Sequence, residues 1–337
     1  MIAFLARCIA LALASLALAC GAGCSNMRFV IDAVPAEDDL TETAIWADPG
    51  ASSGNKIAQI DVTGLIMDAE TPGLLIPGEN PVARFVESLQ LAASDSAVKA
   101  VIIRINSPGG TVTASDVMHR EVQRFKQRTN KPVVISMADV AASGGYYLAC
   151  AGDEIVAMPT TVTGSIGVIM QTFNFSEGMK KIGIRSDAIT SGPNKAVGSP
   201  FEPMPPEHRE LLQNLVSEFY ANFRSIVTTN RPALSPSDVD WITDGRVVTG
   251  ARAAEVGLVD RVGDLHDAFA AAKTRAGLSA ARLVKYHRPL EHVGSAYAAS
   301  HVPAAAGTQV NMLQLNLSPG AAATPTNFYY LWDPSVW

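Results

Sequence analysis

The chain has 337 residues, 48% of them hydrophobic, which is enough for a sizeable core in one large domain or two small ones. Its formal charge is −6 and no basic block occurs, which argues against nucleic acid as a partner, because phosphate binding needs clustered Lys and Arg. Cys8, Cys20 and Cys24 fall near the start and only Cys150 in the globular part, so an internal disulfide framework is excluded there, no cysteine-based zinc site is supported, and no cofactor is expected.

Residues 1–24 read as an address. Arg7 is the first charge, and a run of Ala, Leu and small residues follows it. The run from Cys8 to Gly23 is short for a spanning helix and fits a secretory signal better. Ala17-Leu18-Ala19 resembles a cleavage site, and Ala22-Gly23-Cys24-Ser25 resembles a lipobox with Gly21 in place of the usual Leu. An uncut anchor is the third reading, and whether Cys20 or Cys24 is modified stays open. Each reading puts the rest of the chain outside the cytoplasm, associated with the membrane through its N-terminus. Residues 25–55, with Pro35, Pro49 and Ser52-Ser53-Gly54, read as a linker.

A globular domain is expected over 56–276. Lys56 to Met67 is the first predicted strand. Asn80-Pro81 starts a helix, with Val82, Phe85, Val86 and Leu89 at helical spacing. Ala100 to Ile105 is a nearly continuous apolar strand ending at Asn106-Ser107-Pro108-Gly109-Gly110, and a helix follows over 113–128. Pro132 to Met137 is a second such strand. It ends at Ala138 to Ser143, before a short helix begun by Gly144. Glu154 to Met158 is a third. Apolar strands alternating with helices predict an α/β fold with a parallel sheet covered on both faces, whose ligands bind beyond the carboxyl ends of the strands. Both Gly-rich loops lie there. Arg209 to Arg231 is an amphipathic helix, read as core or as a subunit contact, and Gly257-Leu258-Val259-Asp260 closes a further strand. Residues 277–337 read as a low-complexity, disordered tail. Its aromatic end, Asn327 to Trp332, is a candidate occupant of the groove of its own chain or a neighbour's.

Ser143 lies in Ala-Ala-Ser-Gly-Gly-Tyr-Tyr, where small neighbours allow a substrate backbone to approach. The Gly144 N–H, at a helix start, is free of an intrahelical partner and can stabilise an oxyanion. A second N–H is expected from the Ser107-Pro108-Gly109-Gly110 loop, with Gly109 as first choice. A serine nucleophile needs a base. Of the six histidines, none lies between Ser143 and His208, and His119 and His208 read as surface residues. Lys195, in the turn-rich Ser191 to Pro200 loop, is the better candidate, because burial disfavours a charged amine and lets it accept the Ser143 proton.

Ser-Pro-Gly-Gly, Ala-Ala-Ser-Gly-Gly-Tyr-Tyr, Thr163-Gly164-Ser165-Ile166-Gly167-Val168, the Lys195 loop, Gly245-Arg246-Val247-Val248-Thr249-Gly250 and Gly257-Leu258-Val259-Asp260 occur in that order. Together they resemble the signal peptide peptidase A family of serine proteases, over about Ile57 to Ala272. The resemblance implies a Clp protease/crotonase-like spiral in a half-length member. It implies a Ser-Lys dyad of Ser143 and Lys195, and Ser165 in the substrate groove. It also implies a homo-oligomeric ring, of open size with an octamer considered, in which Lys195 reaches a neighbour's Ser143. Substrates would be released signal peptides and other unfolded apolar segments. Ala196 departs from the acidic residue that often follows the family base. The rival readings are a Clp-like Ser-His-Asp protease, a crotonase-type acyl-CoA enzyme and a non-catalytic membrane scaffold.

Overall fold

The computed structural model describes residues 39–70, 79–289, 291, 293–298 and 328–332. The address at 1–24 and most of the tail lie outside these residues.

Among the described residues a nine-stranded sheet organises the fold. Its main path runs β1 (Thr41–Ala47), β10 (Arg282–His287), β2 (Lys56–Thr63), β3 (Val98–Ser107), β5 (Val133–Ala142), β6 (Glu154–Ala157) and β9 (Arg261–Val262). The neighbours from β10 to β9 are parallel and β1 is an antiparallel edge. Two short strands, β7 (Val162–Gly164) and β8 (Val247–Thr249), extend the far end of β5. The helices are α1 (Pro81–Ser94), α2 (Val112–Thr129), α3 (Gly144–Ala149), α4 (Ser176–Lys181), α5 (Pro206–Asn230), α6 (Pro236–Ile242), α7 (Gly250–Val256) and α8 (Leu265–Arg275).

The apolar run in β3 explains the layering. Successive side chains point to opposite faces. Val101, Ile103 and Ile105 join the core that includes Phe85 of α1 and Met118 and Phe125 of α2. Ala100 and Ile102 join a second core with Leu265, Ala268 and Phe269 of α8. Both faces carry buried apolar clusters, as a parallel sheet requires. The Asn80 cap forms as the sequence predicts, its side chain accepting from the Val82 and Ala83 amides with Pro81 in the first turn.

Two expected boundaries move. The linker reading of 25–55 and the tail reading of 277–337 each conceal a strand, because β1 and β10 pair with each other and β10 pairs with β2. Lys285 broke the apolar pattern of β10. Its side chain is buried, forms an ion pair with Asp61 at 2.5 Å and donates to the Ala298 carbonyl. β1 is polar because it is a half-exposed edge. The strand before Ser143 is also longer than expected. Ala138 to Ala142 stay in β5, where β7 pairs with Val140, Ala141 and Ala142.

Candidate active site

The two Gly-rich loops meet at the carboxyl ends of β3 and β5. The first is held by Ser107, whose hydroxyl donates to the Gly64 carbonyl and accepts from the Gly109 amide at 3.1 Å. Gly109 takes φ 110 and leads into β4 (Gly109–Thr111). There is no room for side chains here. A Cβ on Gly110 would stand 1.8 Å from the Ile66 carbonyl oxygen, and one on Gly144 would stand 2.4 Å from Ser115 Oγ and 3.1 Å from the Gly110 nitrogen. These glycines let two backbone segments touch.

Ser143 occupies the turn between β5 and α3. Its φ of 52 and ψ of −115 are strained for a residue with a Cβ. The main chain fixes this geometry. The Ser143 amide donates to the Gly164 carbonyl, and its carbonyl accepts from the Tyr147 amide, each at 2.8 Å. Ser143 is 1% exposed and its hydroxyl has no hydrogen-bond partner among the described residues. Gly144 follows as the first residue of α3, where the amide lacks an intrahelical acceptor. Ser165 is one residue beyond the Gly164 that braces Ser143. It is buried at φ 51, and its amide donates to the Arg246 carbonyl at 2.6 Å. The motif around Arg246 therefore shapes this wall. The Gly257 to Asp260 motif is a brace too: Tyr146 donates to the Leu258 carbonyl, and the Asp260 carboxylate accepts from Arg231 and the Ile155 amide. That pairing and the amide hold the Asp260 carboxyl below its ordinary value, although burial opposes them.

A strand of the chain itself lies in this groove. β11 (Tyr329–Leu331) pairs antiparallel with β4, and Ile169 bridges its other edge. The Val112 amide donates to the Phe328 carbonyl and the Trp332 amide to the Pro108 carbonyl. In that register Tyr330 and Gly110 form a directly bonded pair. The Tyr330 carbonyl oxygen would be 2.0 Å from a Cβ on Gly109 and 3.1 Å from one on Gly144. It lies where the two loops converge. The Gly109 amide is committed to Ser107, so the loop amide that faces this carbonyl is that of Gly110, not the Gly109 that the sequence favoured.

The Tyr330 ring is buried. It stacks on Tyr147 at 5.1 Å between ring centres and packs on Phe223 at 4.6 Å, and its hydroxyl donates to the Phe219 carbonyl at 2.9 Å. The sequence missed this pocket. The Tyr146-Tyr147 pair and the Phe219/Phe223 face of α5 were its only signals. His119 was read as a surface residue, but it is 6% exposed and packs edge-on against Tyr147. Burial pulls its pKa down to about 4.

Lys195 lies apart. It is exposed on the 191–198 turn, and its ammonium forms no hydrogen bond or ion pair among the described residues. Within one chain it does not hydrogen-bond Ser143. The Pro193 carbonyl, 3.0 Å from His208 Nε2, ties the turn to α5. Cys150 is buried, and burial pushes its thiol up to about 12. Among the described residues no His, Cys, Asp and Glu cluster could hold a metal ion, and no helix is long and apolar enough to cross a membrane.

A strained serine ahead of a helix-start amide, opposite a Gly-rich loop on a parallel sheet, defines a Clp protease/crotonase-like α/β protein. Comparison with known proteins narrows this. Residues 125–279 match peptidase family S49. The "Putative signal peptide peptidase SppA" of Enterococcus faecium is 30% identical over 297 residues, covering 87% of this chain and 85% of that protein. "Protease 4" of Haemophilus influenzae is 37% identical over 214 residues, 64% of this chain and 34% of that protein. "Serine protease SPPA, chloroplastic" of Arabidopsis thaliana is 38% identical over 240 residues, 70% of this chain and 35% of that protein. The chain thus spans about a third of the length of these last two. It belongs to peptidase family S49, the signal peptide peptidase A family.

Proposed function

We propose that this chain is a membrane-associated serine endopeptidase. Ser143 is the nucleophile and Lys195 of a neighbouring copy the general base. The observation that carries this reading is the Tyr330 carbonyl, held in an extended strand against Gly110 and Gly144 beside a strained, unpartnered serine. A substrate carbonyl in that position presents its carbon to Ser143 Oγ. As the bond forms, the hydroxyl proton passes to the lysine and the oxyanion takes the Gly110 and Gly144 amide hydrogens. The lysine then returns the proton to the leaving amine, and water releases the acyl group by the reverse path. Gly109 and Ser165 shape the groove.

The substrates are extended, unfolded segments, cleaved signal peptides among them, because the groove binds a strand between β4 and Ile169. A ring assembly is supported by the segment that carries Lys195. Phe173, Phe175, Ile182, Ile184, Ile189 and Phe201 are each at least half exposed there, which is far more apolar surface than an isolated loop keeps. Packing that segment on a second copy would also dry the lysine. The N-terminal segment anchors the assembly with its protease domain in the cell envelope.

The test is cleavage of a fluorogenic peptide by the full chain and its Ser143→Ala and Lys195→Ala variants. Each variant is expected to lose at least about a thousandfold in kcat. Undiminished cleavage by either would remove the dyad.

A further inference from the structure

We infer that Arg246 is a positioning residue for the nucleophile, its side chain clamped so that its own carbonyl steadies the turn of Ser143. The inference rests on the peptidase reading and adds a residue to its machinery. The Arg246 carbonyl accepts the Ser165 amide at 2.6 Å, and the adjoining Gly164 carbonyl accepts the Ser143 amide at 2.8 Å. Two main-chain bonds therefore link Arg246 to the strained serine. Gly164 takes φ 86, and a Cβ there would stand 2.9 Å from the Arg246 carbonyl oxygen. Contact this close passes a shift of one segment on to the other.

The side chain is what fixes Arg246. Its Nε and Nη2 donate to the two Asp244 carboxylate oxygens at 2.9 and 2.5 Å, and its amide donates to one of them at 3.0 Å. Gly245, at φ 94, lets the turn between them close. The guanidinium also lies over the Trp241 ring, 4.2 Å from its centre, and Trp241 packs from α6 against the main core. The turn is thereby anchored to the body of the fold. The Arg246 and Asp244 side chains are 38% and 45% exposed, and ion pairs this exposed add little stability. What a planar fork on a ring supplies is direction, which a point charge would not. The direction is toward the groove wall, since a Cβ on Gly167 would stand 3.5 Å from Gly245 Cα.

The test compares the full chain with its Arg246→Ala and Trp241→Phe variants, by kcat and KM on a fluorogenic peptide and by amide hydrogen exchange. Arg246→Ala should lower kcat about tenfold and leave KM within about twofold, because β4 and Ile169 still hold the substrate strand. Its Ser143 and Ser165 amides should exchange about tenfold faster, while those of β3 keep the parent rates. Trp241→Phe leaves a ring beneath the guanidinium and should keep kcat within about twofold of the parent. An unchanged kcat in Arg246→Ala, a loss confined to KM, or faster exchange that spreads to β3 overturns the inference and leaves the peptidase reading standing. A kcat as low in Trp241→Phe as in Arg246→Ala overturns it as well. Faster exchange confined to Ser143 and Ser165, with no peptide cleaved by any of the three proteins, keeps the Arg246 brace and removes the peptidase reading.

Discussion

The Tyr330 carbonyl and the Gly110 amide face each other across a strand pair, beside Gly144, the residue that follows Ser143. The chain thus presents its own peptide to its own groove. An intramolecular strand competes at millimolar effective concentration, whereas a free peptide substrate is dilute. Removing residues 328–337 should therefore raise peptidase activity, by about tenfold at micromolar substrate. KM should fall more than kcat rises, because the tail competes for binding. Initial rates of the two forms over a substrate range decide this, and unchanged rates would show that the strand leaves the groove unaided.

Ser143 holds a left-handed φ of 52 that only glycine takes without strain. Ser143→Gly should therefore be more stable than the parent by about 1 kcal/mol, and Ser143→Ala should not. Both should be inactive. Urea unfolding of the three proteins checks it. Equal midpoints for the glycine and alanine variants would mean that this turn stores no strain. The trade is a familiar one at nucleophile sites, where geometry needed for attack is kept at some cost in stability.

Much of this arrangement could be read from residues in order. The strand over Ala100 to Ile105 needs no context, because six apolar-rich positions between polar turns can only be buried on both faces. Ser143 was locatable because Gly-Gly after a small-residue strand marks a helix start with free amides. What escaped depended on distant partners. Lys285 looks like a surface residue until Asp61 is beside it. Gly109 and Gly110 are equivalent in sequence, and only the Ser107 hydroxyl distinguishes their amides. Tyr330 has no local signal for a strand. Its order comes from β4, Ile169 and the Tyr147–Phe223 pocket, which lie far away in the chain.

Ser143 and Lys195 share no hydrogen bond within one chain, which yields a mixing experiment. If the site is shared, a Ser143→Ala chain still offers Lys195 and a Lys195→Ala chain still offers Ser143. Co-assembled at equal amounts, the two inactive proteins should recover about a quarter of the parent rate, since half the copies carry each intact group at a shared interface. The homogeneous proteins, mixed without reassembly, should stay inactive. No recovery after verified co-assembly would place both groups in one subunit.

His119 makes folding sensitive to acid. Burial is the main cause of its depressed pKa of about 4, against 6.5 for a free imidazole, and Asp116 opposes the shift only in part. The unfolded state therefore binds more protons than the folded one between these values. Stability from this residue is full above about pH 6.5, and it is lost as pH falls toward 4. The whole effect is on the order of 3 kcal/mol. Asp116, Arg120 and Lys126, all on α2, are the charged groups that act on the ring, and the Tyr147 ring packs against it from α3. Replacing His119 with glutamine should flatten the pH dependence of the unfolding free energy between 6.5 and 4 relative to the parent, whatever its effect on stability at neutral pH. Denaturant titrations at four or five pH values over that window measure it. Parallel curves for the two proteins would mean that the imidazole is protonated in the folded state, and that the pocket around Tyr147 is wetter than its packing implies.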